Sequence, residues 1–94
     1  MQSPLAVAGE CLEVLRLAKS ILAKFNMNAL SDLGVAALEA KAGLEGAVMN
    51  VKINLPSIKD QAFAAQTRAT VAQYLEEGGS IRTEIYQYVH DNLV

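Results

Sequence analysis

From Asn28 to Asn54 the sequence reads NALSDLGVAALEAKAGLEGAVMNVKIN, and its residue spacing fits one long helix carrying two opposed polar faces. At about 100° per residue, Lys41, Glu45 and Lys52 project together, as a solvent face does. On the far side a second stripe collects Asp32, Ala36, Glu39, Gly43, Gly46, Asn50 and Asn54, all within about 40° of their mean direction. The arcs between the stripes are apolar, with Leu33, Ala37, Leu44, Val48 and Val51 on one side and Val35, Ala42, Met49 and Ile53 on the other. Two apolar arcs both ask for burial, so the expectation is that the stripe between them is turned inward or lines a cleft. A buried carboxylate and buried amides are costly without partners. Gly43 and Gly46 also lose helix stability that alanine would keep. Compensation is expected from another backbone packed closely over the small residues, or from a polar ligand held by Asp32, Asn50 and Asn54.

The flanking segments read as helices that pack against this one. Ser3-Pro4 is a helix start, with Ser as the cap and Pro where a missing N–H costs nothing. Ala8, Leu12, Leu15, Leu22 and Phe25 then recur at three- and four-residue steps, widened by Cys11, Val14, Ala18 and Ile21, which predicts an amphipathic helix over about 5–25. Asn26-Met27-Asn28 is a short link in which Asn26 can end that helix. Ser31 is expected to cap the central helix, with Asp32 at its first position, where exposed N–H groups favour a carboxylate. The helix stops where Leu55-Pro56 forces an extended residue before the proline. Ser57 and Asp60 imitate a capping box and predict a third helix from about Ile58, its contact face made of Ala62, Phe63, Ala65, Ala69, Ala72 and Leu75. Gly78-Gly79 is expected to break it. Ser80 then caps a short last helix with Ile81, Ile85, Tyr88 or Val89, and Leu93 on one face and Arg82, Tyr86 and His90 outside.

The 94 residues fit one domain, residues 1–94, with a hydrophobic share of 52%, high for so short a chain. Three long, largely apolar helices cannot hide all their faces against each other, so a homo-oligomer, most simply a dimer, is expected. The fold class is all-α: an antiparallel bundle of three long helices plus a short C-terminal helix, oligomerising into a larger bundle. With a net charge of −2, no run of Lys or Arg, and three Tyr and two Phe as the only aromatics, nucleic acid is not an expected partner. Cys11, the single cysteine, reads as a small buried hydrophobe. No charged-then-apolar leader and no membrane-length apolar run is evident, so the cytoplasm is the expected compartment and no membrane association is foreseen. One histidine and one cysteine cannot assemble a zinc site or a Ser-His-Asp or Cys-His arrangement within one chain, and no metal ligands are assigned.

The pieces NALSDLGVAAL and LEGAVMNVKINLPSIKD, with PLAVAGECLEVLRLAKSILAKF before them, resemble the later half of the formiminotetrahydrofolate cyclodeaminase and methenyltetrahydrofolate cyclohydrolase family, over roughly Pro4 to Phe63. The matching residues are Asn28, Ser31-Asp32, the Gly/Ala-rich turns, Asn50-Val51 and Ile53-Asn54. The family's proline- and glycine-rich, PGGG-like segment has no counterpart in this sequence. The resemblance implies conversion of formiminotetrahydrofolate to methenyltetrahydrofolate with loss of ammonia, or the related hydration of the methenyl form. No tightly bound cofactor is implied, and a tetrahydrofolate derivative is the substrate. It makes Asp32 the catalytic candidate, as proton acceptor or pterin anchor, and Asn28, Ser31, Asn50 and Asn54 the substrate-binding candidates. On a straight helix Asp32 and Asn50 lie about 27 Å apart, so a shared site requires two copies crossing antiparallel near Gly43. The alternative is a non-catalytic helical dimerisation module in which the glycines and asparagines serve interhelical contact and register.

Overall fold

The structure is a computed structural model that describes residues 2–24 and 27–93, with side chains described for residues 2–24 and 29–93. Three helices make up the described residues: α1 (Pro4–Ile21), α2 (Met27–Asn54) and α3 (Gln61–Asn92). Single 3-10 turns follow α1 at Leu22–Lys24 and α2 at Leu55–Ser57. Each helix packs against the other two in a slab of 52 × 23 × 17 Å.

α1 begins as its sequence predicts. Ser3 is extended (φ −71°, ψ 155°) and its Oγ accepts from the Ala6 N–H at 3.2 Å, with Pro4 in the first turn. Ala8, Leu12, Leu15, Ala18 and Leu22 are buried, the expected stripe. Val14 points outward, and Cys11 is half-buried rather than buried. The α-helix ends at Ile21; Phe25 and Asn26, assigned to the end of this helix, lie outside the described residues.

α2 is one helix to Asn54, as expected, but it starts at Met27. Ser31 and Asp32 therefore sit in its second turn and not at the cap, and the favourable N-terminal N–H groups are not theirs. The arc that packs is centred on Leu33, Ala37, Leu44, Val48 and Val51, joined by Leu30 and Ala47. The opposite apolar arc is left outside, with Val35 at 52%, Met49 at 70% and Ile53 at 78% exposure, and Ala42 exposed as well. Two neighbouring helices cover only part of a third helix's circumference, so one apolar arc is buried and the other is left out. Lys41, expected in solvent, is folded along the α3 seam with 15% of its side chain exposed, paired to Glu45 at 2.6 Å.

After α2 the backbone does not become extended before Pro56. The extended residue is Ile58 (φ −81°, ψ 122°). Asp60, not Ser57, caps α3, its Oδ1 accepting from the Phe63 N–H at 3.0 Å, while the Ser57 Oγ donates to the Asn54 carbonyl at 2.8 Å.

α3 corrects two expectations. It is continuous through Gly78-Gly79 and Ser80 to Asn92, so the short fourth helix is its C-terminal part. Its contact stripe is Ala64, Thr67, Val71, Gly78, Ile81, Ile85 and Val89, with Tyr74 half-buried between. Ala62, Phe63, Ala65, Ala69 and Ala72 face solvent, and Leu75 is half-buried. The true stripe runs through a threonine and a glycine. Thr67 enters the core because its Oγ1 donates to the Phe63 carbonyl at 2.8 Å, leaving its methyl to pack. Gly78 is buried because α1 and α2 close over it. A Cβ there would collide with Leu44 Cδ2 and stand 3.4 Å from Leu15 Cδ1. Leu12, Leu15, Leu44, Val71 and Ile85, the largest fully buried side chains, contribute roughly 1.5–3 kcal/mol each by burial.

Ion pairs bind the outside of the α1–α3 seam. Arg16 donates to Glu77 at 2.5 and 2.8 Å and to Glu13 at 2.5 Å, and Lys19 meets Glu84 at 3.1 Å. These three pairs are solvated and contribute little to stability.

Candidate functional site

The residues singled out by sequence lie along the open side of α2. Asp32, Ala36, Glu39, Gly43, Gly46, Asn50 and Asn54 are all exposed in the single chain, so the stripe expected to face inward faces out. Asp32 makes no hydrogen bond or ion pair among the described residues. The Asn54 Nδ2 donates to the Asn50 carbonyl at 2.9 Å, an i, i+4 bond that ties one amide to its own helix and leaves the Asn50 side chain free to meet something else. Asn28 lies in the first turn of α2, and its side chain is outside the described residues.

Within one chain the fold does not gather these groups. Asp32 and Asn50 remain about 27 Å apart along α2. Instead it divides the open side of α2 between two grooves. On the α1 side, Ala36 and Glu39 join Val7, Glu10, Cys11 and Val14 around a hollow of about 450 Å³. There α1 runs close to Gly43, where a Cβ would stand 3.0 Å from Cys11 Sγ. On the α3 side, Ser31 joins Gly34, Val35 and Leu38 opposite Tyr86, Val89, His90 and Leu93 around about 220 Å³.

Tyr86 and His90, which sequence reasoning placed outside any site, line the second groove, and Arg82 lines a neighbouring hollow. Arg82, Tyr86 and His90 follow one another at i, i+4 and i+8 on α3, a spacing that stacks side chains on one helix face. The Arg82 guanidinium carbon lies 4.8 Å from the Tyr86 ring centroid, within cation–π reach. The Tyr86 and His90 rings are parallel within 8°, their centroids 6.0 Å apart. The four-residue repeat of cation, phenol and imidazole was the signal available for them.

The electrostatics of the molecule lie elsewhere. The hydrogen bond from Lys41, then its charge, holds the Glu45 carboxyl below its ordinary value, with Arg82 adding a smaller pull. Arg16 does the same for Glu77, and its own guanidinium is raised in return. Among the described residues no three His, Cys, Asp or Glu side chains converge as a metal site, and no helix is long and apolar enough to cross a membrane. The chemistry left on the open side of α2 is therefore that of two carboxylates, Asp32 and Glu39, a hydroxyl and amides, able to accept a proton and to hydrogen-bond a heterocycle's edge.

The chain is 41% identical over 86 residues, 92% of its length, to a methenyltetrahydrofolate cyclohydrolase of Methylorubrum extorquens, covering 41% of that protein. It is 44% identical over 52 residues, 55% of its length, to a formimidoyltransferase-cyclodeaminase of Sus scrofa, and 42% identical over the same length to that of Rattus norvegicus, in each case covering 10% of the relative. The chain thus spans less than half the length of the curated relatives it matches. The sequence profile of formiminotransferase-cyclodeaminase matches residues 1–73, which take in α1, α2 and the start of α3. On these two findings the chain belongs to the formiminotransferase-cyclodeaminase family.

Proposed function

We propose that the protein acts in folate one-carbon chemistry, at the carbon bridging two nitrogens of a tetrahydrofolate, as a homodimer in the cytoplasm. The observation that carries this reading is the 41% identity to a methenyltetrahydrofolate cyclohydrolase across 92% of the chain, which favours hydration of the methenyl form over its formation with loss of ammonia. In that hydration a water oxygen bonds to the bridging carbon and one water proton passes to a base; the added hydroxyl then becomes the formyl carbonyl as one carbon–nitrogen bond breaks, and its proton goes to the released nitrogen. Asp32, solvated and unpaired, is the proton acceptor or pterin anchor. Asn28, Ser31, Asn50 and Asn54 offer donors and acceptors to the pterin edge.

The distance between Asp32 and Asn50 requires a second copy. Two α2 helices crossing antiparallel near Gly43 bring Asp32 of one beside Asn50 of the other. Gly46 supports such a contact. It lies inside a helix, has no positive φ, and a Cβ there would meet nothing within 4 Å. Its small size serves no contact inside the chain, while it costs the helix about 0.5–1 kcal/mol. The exposed Met49 and Ile53 near it are apolar surface such a contact would bury.

A thermal-shift titration with methenyltetrahydrofolate tests the reading. At a hundredfold excess over Kd, binding stabilises by about 2.7 kcal/mol, on the order of 10–20 °C in Tm for a chain of this size. The shift should vanish in Asp32→Ala and Asn50→Ala, and loss of methenyl absorbance should report turnover. A strictly monomeric protein at micromolar concentration in analytical ultracentrifugation would end the two-copy site. Absence of any shift at saturating folate would leave the second reading, a non-catalytic helical pairing module, which the unused space at Gly46 favours equally.

A further inference from the structure

The groove between the N-terminal turns of α2 and the C-terminal turns of α3 joins Ser31, Gly34, Val35 and Leu38, inside the family match, to Tyr86 and His90, which follow residue 73, where that match ends. Its walls are Val35 and Leu38 on one side and the Tyr86 and His90 rings on the other. Four of the chain's exposed large hydrophobics, Val35, Leu38, Tyr86 and Leu93, crowd around it. Its floor is the close contact of α2 and α3, where a Cβ on Gly34 would stand 3.2 Å from Val89 Cγ1. The volume of about 220 Å³ suits one ring system and is below the usual range for a larger ligand.

A second hollow, which shares Leu38 with the first, is lined by Lys41, Glu45, Gly79 and Arg82. No carboxylate lines the first hollow. In the second, Glu45 is taken by Lys41 at 2.6 Å, so the local charges leave one net cation. That cation is Arg82, which makes no hydrogen bond or ion pair among the described residues and lies over Tyr86. An apolar and aromatic slot thus has beside it, over the Tyr86 ring, a guanidinium with no carboxylate partner among the described residues, the donor best suited to a carboxylate.

We propose that this seam binds a planar aromatic ring bearing a carboxylate, the ring between Val35–Leu38 and Tyr86–His90 and the carboxylate on Arg82. The proposal does not rest on the folate reading and uses probes that are not folates, so either can fail alone. Benzoate is titrated into the isotope-labelled protein and followed by amide chemical shifts. Saturable shifts are expected at Val35, Leu38, Tyr86 and His90, with Kd on the order of a millimolar for so small a ligand. Benzyl alcohol, which keeps the ring and lacks the charge, should bind about tenfold more weakly, and Arg82→Gln should weaken benzoate by a similar factor. Val35→Glu, at an exposed position where the fold is not at risk, should abolish benzoate binding by placing a like charge in the slot. Equal binding of benzoate to the parent and to both variants overturns the proposal, as do shifts that map elsewhere or fail to saturate. Groove amides that move with protein concentration alone would show a second copy seated there and overturn it too.

Discussion

Gly78 and Gly79 are adjacent in one helix, yet the structure gives alanine opposite consequences at the two positions. Neither has a positive φ, so each Gly→Ala gains roughly 0.5–1 kcal/mol of helix stability. At Gly79 the new methyl meets only Lys41 Cε, at 3.7 Å, and Gly79→Ala should raise Tm by roughly 2–8 °C. At Gly78 the methyl collides with Leu44 Cδ2 and comes within 3.4 Å of Leu15 Cδ1, both on fully buried side chains. Leu44 can yield only by moving into a filled layer, an overpacking cost of about 1–3 kcal/mol. Gly78→Ala should therefore fall between neutral and about 2.5 kcal/mol destabilising. Because the helix-propensity gain is common to both variants, the difference between them isolates the packing. That difference should be about 1–3 kcal/mol in favour of Gly79→Ala. Urea unfolding followed by far-UV circular dichroism, with a shared m-value, measures it. Equal stabilisation by the two alanines would refute the close approach of α1 and α2 over Gly78.

Leu44→Ala, at the centre of the same layer, should cost about 2–5 kcal/mol, read by the same denaturation. The Glu77 carboxyl is held below its ordinary 4.5 by the Arg16 hydrogen bond. A group whose folded value is depressed stabilises the fold above its unfolded value and loses that contribution as pH falls through the folded one. Stability of the parent should therefore decline a little more steeply below about pH 4.5 than that of Glu77→Gln, the gap being small because the pair is solvated; Tm measured from pH 7 to pH 3 checks it. Met49→Lys, at an outward position on α2, should leave the unfolding free energy of a dilute sample within about 0.5 kcal/mol of the parent while shifting sedimentation toward the monomer. An unchanged sedimentation profile would remove that face from the subunit contact.

Much of this protein is local chemistry and could be read along the chain. Ser3-Pro4 starts a helix through a hydroxyl and a missing N–H, Asn54 ends one ahead of Pro56, and the leucine spacing of α1 announces its buried face. The motif of Asn28, Ser31-Asp32 and Asn50 was equally legible, because a family likeness depends on the order of residues and not on where they point. Orientation was another matter. α2 carries two apolar arcs of similar breadth, and periodicity assigns no preference between them; Leu33 and Leu44 packed, Met49 and Ile53 stayed out, and the acid and amides between them were left in solvent. In α3 an apolar count passes over Thr67 and Gly78 and selects the alanines. The tertiary structure chose the other face because a threonine can satisfy its hydroxyl within the helix and a glycine lets two leucines reach the backbone. Which arc is buried is decided by shape against a neighbour, a quantity that exists only once the helices are side by side.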